Sequence, residues 1–207
     1  MTAGSGTPAT LRIVDPATLQ ALTQFSVRQR FTMMVNRYEI ATPDGSLIAV
    51  AQQKRMAWKE QVTFYSDEDR KHPVFGFKAR QKIDLGATYD VVDGAGKPIG
   101  TFRKKFAKSL VRSTWELNQP GLEATGRERR LSVAVLRRGW EVVPFVSAVP
   151  FVVPYHFDFT TPDGRTVLSV VRRRRLRDSY EVSVEDASLD RRLAAAMAVA
   201  LDALQSR

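Results

Sequence analysis

Apolar and polar positions alternate along most of the chain in short runs broken by Gly, Asp and Pro, which is the period of β-strands. Residues 180–184 show it plainly: Tyr180, Val182 and Val184 share one face, and Glu181 and Ser183 the other, with Glu185 just beyond. A longer unit recurs. Tyr38-Glu39-Ile40 leads to Asp44-Gly45, Tyr89-Asp90-Val91 to Gly94-Ala95-Gly96, and Phe157-Asp158-Phe159 to Asp163-Gly164, with a Gly seven positions after each aromatic. Aromatic, acid, apolar, a Gly-bearing turn and a second apolar run describe a β-hairpin, because Gly supplies the positive φ of a tight turn. Further strands are predicted over 25–30, 62–65, 74–78, 113–118, 131–137 and 180–184, and counting both arms of each hairpin gives about twelve, as a sandwich or barrel needs.

One helix is predicted, over residues 189–205, with Ser188 as N-cap and Asp190 complementing the helix dipole. Leu193, Met197, Leu201 and Leu204 form a stripe, and the remaining faces are mostly Ala with Val199. A helix apolar all round has to be buried all round. Its alanines let strands approach closely, so the pattern predicts a mainly β fold: a closed antiparallel barrel of about twelve strands threaded by this helix.

Composition narrows the chemistry. The chain has 207 residues, 43% of them hydrophobic, enough for one sizeable core, read as a flexible leader over 1–21 and a single domain over 22–207. With no cysteine there is no disulfide, thiolate nucleophile, Cys-zinc site or iron–sulfur cluster. Two histidines, His72 and His156, exclude a single-chain zinc site with three histidine ligands. The first ten residues lack the basic-then-apolar order of a secretory signal. Residues 142–155 are apolar but hold Pro144, Pro150 and Pro154, and 193–201 is too short, so neither is expected to cross a bilayer that needs roughly 20 helical residues. Lys and Arg number 32 against 22 Asp and Glu, a net charge of +10 that points to a polyanionic partner.

The arrangement resembles the tubby C-terminal-like superfamily, in its LURP-one-related and phospholipid scramblase branch. The matching residues are Phe25-Ser26-Val27-Arg28-Gln29-Arg30, Tyr38-Glu39-Ile40 with Asp44-Gly45, Phe64-Tyr65, Phe75-Gly76-Phe77-Lys78, Tyr89-Asp90-Val91 with Gly100-Thr101-Phe102-Arg103, Ser113-Thr114-Trp115, Tyr180-Glu181-Val182 and the apolar terminal helix. The resemblance covers about residues 22–205. It implies a twelve-stranded barrel around a central C-terminal helix, no catalytic apparatus and no cofactor, and relatives that bind phosphoinositides or are linked to lipid scrambling. The acidic calcium segment of the scramblase branch carries over poorly. Asp178, Glu181, Glu185 and Asp186 lie along a strand beside Arg177, without Asp-x-Asp spacing or a loop glycine, so no metal site is expected.

Other motifs read as structure. Gly94, Gly96 and Gly100 are spaced one residue too widely for a dinucleotide fingerprint and precede a strand rather than a helix, and Gly96-Lys97 is followed by Pro98 rather than the Ser/Thr of a P-loop. His156 and Asp158 share one strand face, but no Gly-x-Ser-x-Gly elbow exists to present a nucleophile, and His72 reads as a turn residue. No enzyme is expected. The functional signal is basic: Arg172, Arg173, Arg174 and Arg175 with Arg177, then Arg103, Lys104 and Lys105 with Lys108, then Arg127, Arg129 and Arg130, then Arg137 and Arg138. Each cation near an anionic leaflet is worth about 1 kcal/mol. The segment from Trp140 to Tyr155, with Phe145 and Phe151, reads either as a loop dipping into the membrane interface or as a buried crossover. A protein peripheral at the cytoplasmic membrane face, contacting anionic phospholipid or phosphoinositide headgroups, is therefore expected. Nucleic-acid binding is the alternative, since the same charge suits a phosphate backbone, and a scaffold without a lipid ligand is the third reading.

Overall fold

The computed structural model describes residues 15, 17–31, 35–54, 61–80, 88–105, 114–129, 156–174 and 178–205. Twelve strands run β1 (Gln24–Phe31), β2 (Val35–Ala41), β3 (Leu47–Lys54), β4 (Gln61–Tyr65), β5 (Pro73–Ala79), β6 (Thr88–Asp93), β7 (Pro98–Lys105), β8 (Thr114–Gln119), β9 (Leu122–Glu128), β10 (His156–Thr160), β11 (Thr166–Arg174) and β12 (Asp178–Val184). Each pairs antiparallel with its neighbours in sequence, and β12 pairs with β1, so the sheet closes into a barrel and presents no open edge. A short helix, α1 (Thr18–Ala21), precedes β1, and α2 (Arg191–Gln205) follows β12.

The alternation read in the sequence decides which side chains fill the barrel. Phe25 and Val27 of β1, Phe75 and Phe77 of β5, and Phe157 and Phe159 of β10 are buried inward, with α2 among them. Leu193 and every residue from Ala194 to Ala200 are completely buried, and α2 packs against β1, β5, β7 and β12. The all-round apolar helix is thus the core, as its pattern predicts. Gly100 on β7 makes room for it: a Cβ there would lie 2.5 Å from the Asn118 carbonyl oxygen and 2.8 Å from Leu193 Cδ2. The three repeated hairpins close as expected, with Gly45, Gly96 and Gly164 at φ of 92°, 85° and 89°.

Three expectations change. Residues 18–21, assigned to the leader, form α1, whose Leu19 is completely buried and whose Gln20 hydrogen-bonds Asp190, so the folded unit begins before residue 22. The N-cap of α2 is Asp190 rather than Ser188. The Arg192 amide donates to Asp190 Oδ1 at 2.8 Å, the Ala194 amide to the Asp190 carbonyl at 3.1 Å, and Arg192 pairs with the carboxylate. Finally, β9 spans Leu122–Glu128, where the sequence reading placed no strand. The strand predicted over 131–137 lies outside the described residues.

Candidate functional site

Because neighbouring strands run antiparallel, odd-numbered strands end where even-numbered strands begin. One end of the barrel therefore gathers the tight turns at Gly45, Gly96, Gly121 and Gly164 and the start of α2. The opposite end, the rim, gathers the C-termini of β1, β3, β5, β7, β9 and β11 and the N-termini of β2, β4, β6, β8, β10 and β12. This connectivity separates charge. The turn end carries Asp44, Asp93, Asp163 and Asp186 with Arg70, Lys97 and Arg165 among them, whereas toward the rim lie Arg28, Lys78, Arg103, Lys105, Arg127 and Arg173, each with a carboxylate of the neighbouring strand beside it.

Beneath the rim a recurring unit builds the outer wall. Glu39 on β2, Asp90 on β6, Glu116 on β8, Asp158 on β10 and Glu181 on β12 each follow an inward aromatic and face outward to a cation on the preceding strand or just past its end. Arg30 and Arg37 each reach Glu39 at 2.9 Å, Arg80 reaches Asp90 at 2.7 Å, Arg103 and Lys105 both pair with Glu116, Arg129 reaches Asp158 at 2.6 Å, and Arg173 reaches Glu181 at 2.9 Å. Burial draws the Glu116 carboxyl upward, but Arg103 and Lys105 outweigh it and leave it below its ordinary value. Asp158 is lowered in the same way, burial being overcome by Arg129, Ser169 and His156.

Strand alternation divides the basic runs. In Arg103-Lys104-Lys105 the first and third residues face outward to Glu116, while Lys104 faces inward, its ammonium 5.8 Å from the centre of the Trp115 ring. Arg172 likewise turns inward over Tyr180, at 5.9 Å, and Arg173 outward to Glu181. Arg174 ends β11 on the rim, and Arg175 and Arg177 lie outside the described residues. So do Arg130, Arg137, Arg138 and the segment with Trp140, Phe145 and Phe151. Among the described residues the basic strand ends thus gather toward one end of the molecule, with Lys104 and Arg172 turned inward and Arg103, Lys105 and Arg173 outward.

Of the cations left over, sequence reading singled out Arg127 but not Arg28 or Lys78. Arg28, Lys78 and Arg127 are exposed on the outer wall by the rim, and none makes an ion pair among the described residues. Their isolation is set by register, which leaves each beside a carboxylate already engaged: Arg28 opposite Glu39, Lys78 opposite Asp90, Arg127 opposite Asp158. Also unforeseen is a polar knot inside the same end. The Tyr180 hydroxyl donates to Asp202 Oδ1 at 2.5 Å, the Tyr38 hydroxyl to Oδ2 at 3.2 Å, and Gln29 Nε2 to the Tyr38 oxygen at 3.0 Å. The one signal for it was an acid inside an apolar helix.

The groups weighed for catalysis are engaged otherwise. His156 Nε2 lies 3.2 Å from Asp158 Oδ1, on the shared face the alternation predicts. Ser169 Oγ donates at 2.8 Å to the same carboxylate. His72 is exposed in the turn before β5, its amide bonded to Asp67. Of the acids considered for calcium, Glu181 pairs with Arg173, while Asp186 accepts from Ser188 and lies 3.4 Å from Arg165.

Among the described residues no helix is long and apolar enough to cross a membrane. No curated protein matches the chain. A family model described as LURP-one-related matches residues 47–202, three quarters of the sequence and all but the first two strands of the barrel, and by that match the chain belongs to the LURP-one-related family, within the tubby C-terminal-like superfamily.

Proposed function

We propose that this protein is a non-enzymatic barrel that associates peripherally with anionic phospholipid headgroups, its rim toward the surface. The observation that carries the reading is the charge polarity of the barrel, with leftover cations at one end and a carboxylate-rich turn end opposite. A flat anionic surface attracts such a molecule rim first, and each cation brought near it adds about 1 kcal/mol. The connections between rim strands extend the same charge in sequence, through Arg130, Arg137, Arg138, Arg175 and Arg177. Nucleic acid is the weaker reading. Among the described residues the aromatics beside the rim cations, Phe102, Trp115, Phe157 and Tyr180, are buried inside the barrel rather than exposed as the stacking platforms that single strands use.

Vesicle co-sedimentation tests the proposal. Binding to phosphatidylserine-containing vesicles, weakening as salt rises, with none to phosphatidylcholine alone, is expected. Equal binding to both, or to neither, contradicts it.

A further inference from the structure

The two histidines stand at opposite ends of the barrel. His156 opens β10 at the rim, whereas His72 lies in the turn before β5, at the end that gathers the tight turns. Histidine is the side chain whose ordinary value puts its charge change between pH 5 and 8, so the two ends respond to pH separately. We infer that His156 makes attachment to an anionic surface pH-sensitive, its protonation adding a cation at the rim and strengthening binding as pH falls; this rests on the membrane reading above and adds its regulation.

Register builds the cluster around it. Asp158 follows His156 by two residues, so both face outward, and Nε2 lies 3.2 Å from Oδ1. On β9, Arg127 lies opposite Asp158, and the Arg129 amide donates to the His156 carbonyl, which sets Arg129 beside the imidazole. Arg129 holds the Asp158 carboxylate through Nε at 2.6 Å and Nη2 at 3.0 Å. Glu128, between the two arginines in sequence, is buried on the inward face. On β11, Val171 is the cross-strand partner of His156 and Ser169 donates to Asp158. Arg173 continues that outer face toward the rim and pairs with Glu181 of β12, while Arg172 turns inward.

Within this cluster the imidazole is the member that changes charge near neutral pH. Burial pushes the Asp158 carboxyl up, but Arg129, Ser169 and His156 outweigh it and keep it below its ordinary 3.8, so it stays ionised. Arginine keeps its charge throughout. Arg127 and Arg129 against Asp158 leave the patch one positive charge, and a proton on His156 doubles it. The other outward carboxylates of the recurring unit, Glu39, Asp90, Glu116 and Glu181, are met among the described residues by Arg and Lys, which offer no such change. His72 is exposed at the far end of the wall. Strands of this length separate it from the rim by about 20 Å, beyond the roughly 10 Å over which a charge is felt at 0.1 M salt.

The test uses the full chain with His156→Gln, His156→Lys and His72→Gln, and phosphatidylcholine vesicles doped with phosphatidylglycerol, whose phosphodiester keeps its charge over the range studied. The unaltered chain is expected to bind about fivefold more tightly at pH 5.5 than at pH 7.5, the worth of one cation at an anionic surface. His72→Gln is expected to keep that ratio and His156→Gln to lose it. His156→Lys is expected to bind at pH 7.5 as the unaltered chain does at pH 5.5. By reciprocity, adding the vesicles is expected to raise the midpoint of the His156 imidazole by about 0.7 in an NMR titration. Binding that is equal at the two pH values, or a pH ratio that survives His156→Gln, overturns the switch and leaves the membrane reading standing. Binding at neither pH overturns both.

Discussion

Asp202 sits near the C-terminal end of α2, where the helix dipole disfavours a carboxylate, and is 4% exposed inside the barrel. Its tolerance there rests in part on Tyr38 and Tyr180, which donate from β2 and β12 and so tie the helix end to the two strands on either side of β1. Tyr180→Phe removes one buried hydrogen bond to Asp202 and is expected to lower stability by about 1–3 kcal/mol in urea unfolding. Gly126 is a second position where single atoms matter. It lies inward opposite Trp115 and Phe159, and a Cβ there would strike the Phe159 ring. Gly126→Ala is expected to cost about 1–3 kcal/mol by overpacking, measured the same way. At the turn end, hydrogen bonds from Thr161 and then Arg165 hold the exposed Asp163 carboxyl down to about 2. Its folded value is depressed, so whatever it lends to the turn is present above its ordinary 3.8 and lost as pH falls toward 2. An NMR titration is expected to show that midpoint, and Thr161→Val to move it upward.

At the scale of elements, α2 is fixed at its start by Asp190, which caps the Arg192 amide and accepts from Gln20 of α1, while its own amide donates to Gln119 of β8. Asp190→Ala is expected to cost about 1–2 kcal/mol of unfolding free energy. The helix and eleven of the strands were legible from apolar periodicity or from the repeated hairpin unit with its glycine turn. β9 was not, since its inward positions are Leu122, Ala124, Gly126 and Glu128. They shrink because Trp115, Phe157 and Phe159 on the adjoining strands fill the space in front of them, a compensation visible only once the register is known. The charge on β11 was hard to place for a related reason. Arg172 and Arg173 are neighbours in sequence but face opposite sides of the wall, one toward the lumen and one toward the surface. The isolated cation of the candidate site, Arg28, stands alone in sequence and stands out only when the engaged Glu39 is seen opposite it.

For the whole molecule, barrel closure turns scattered charges into a polarity. Hairpin turns rich in Asp collect at one end because every second connection is tight, and basic strand ends collect at the other. The sequence carried the net charge of +10 but not this axis, since it arises from the order in which strands pair. The direct test of that axis compares two double variants of equal net charge for affinity to phosphatidylserine vesicles: Lys78→Gln with Arg127→Gln at the rim, and Arg70→Gln with Lys97→Gln at the turn end. At about 1 kcal/mol per cation near the surface, the rim pair is predicted to weaken binding by about thirtyfold, with the turn-end pair within about twofold of the unaltered chain. Equal losses from the two pairs would mean that the rim does not face the membrane, and would contradict the account.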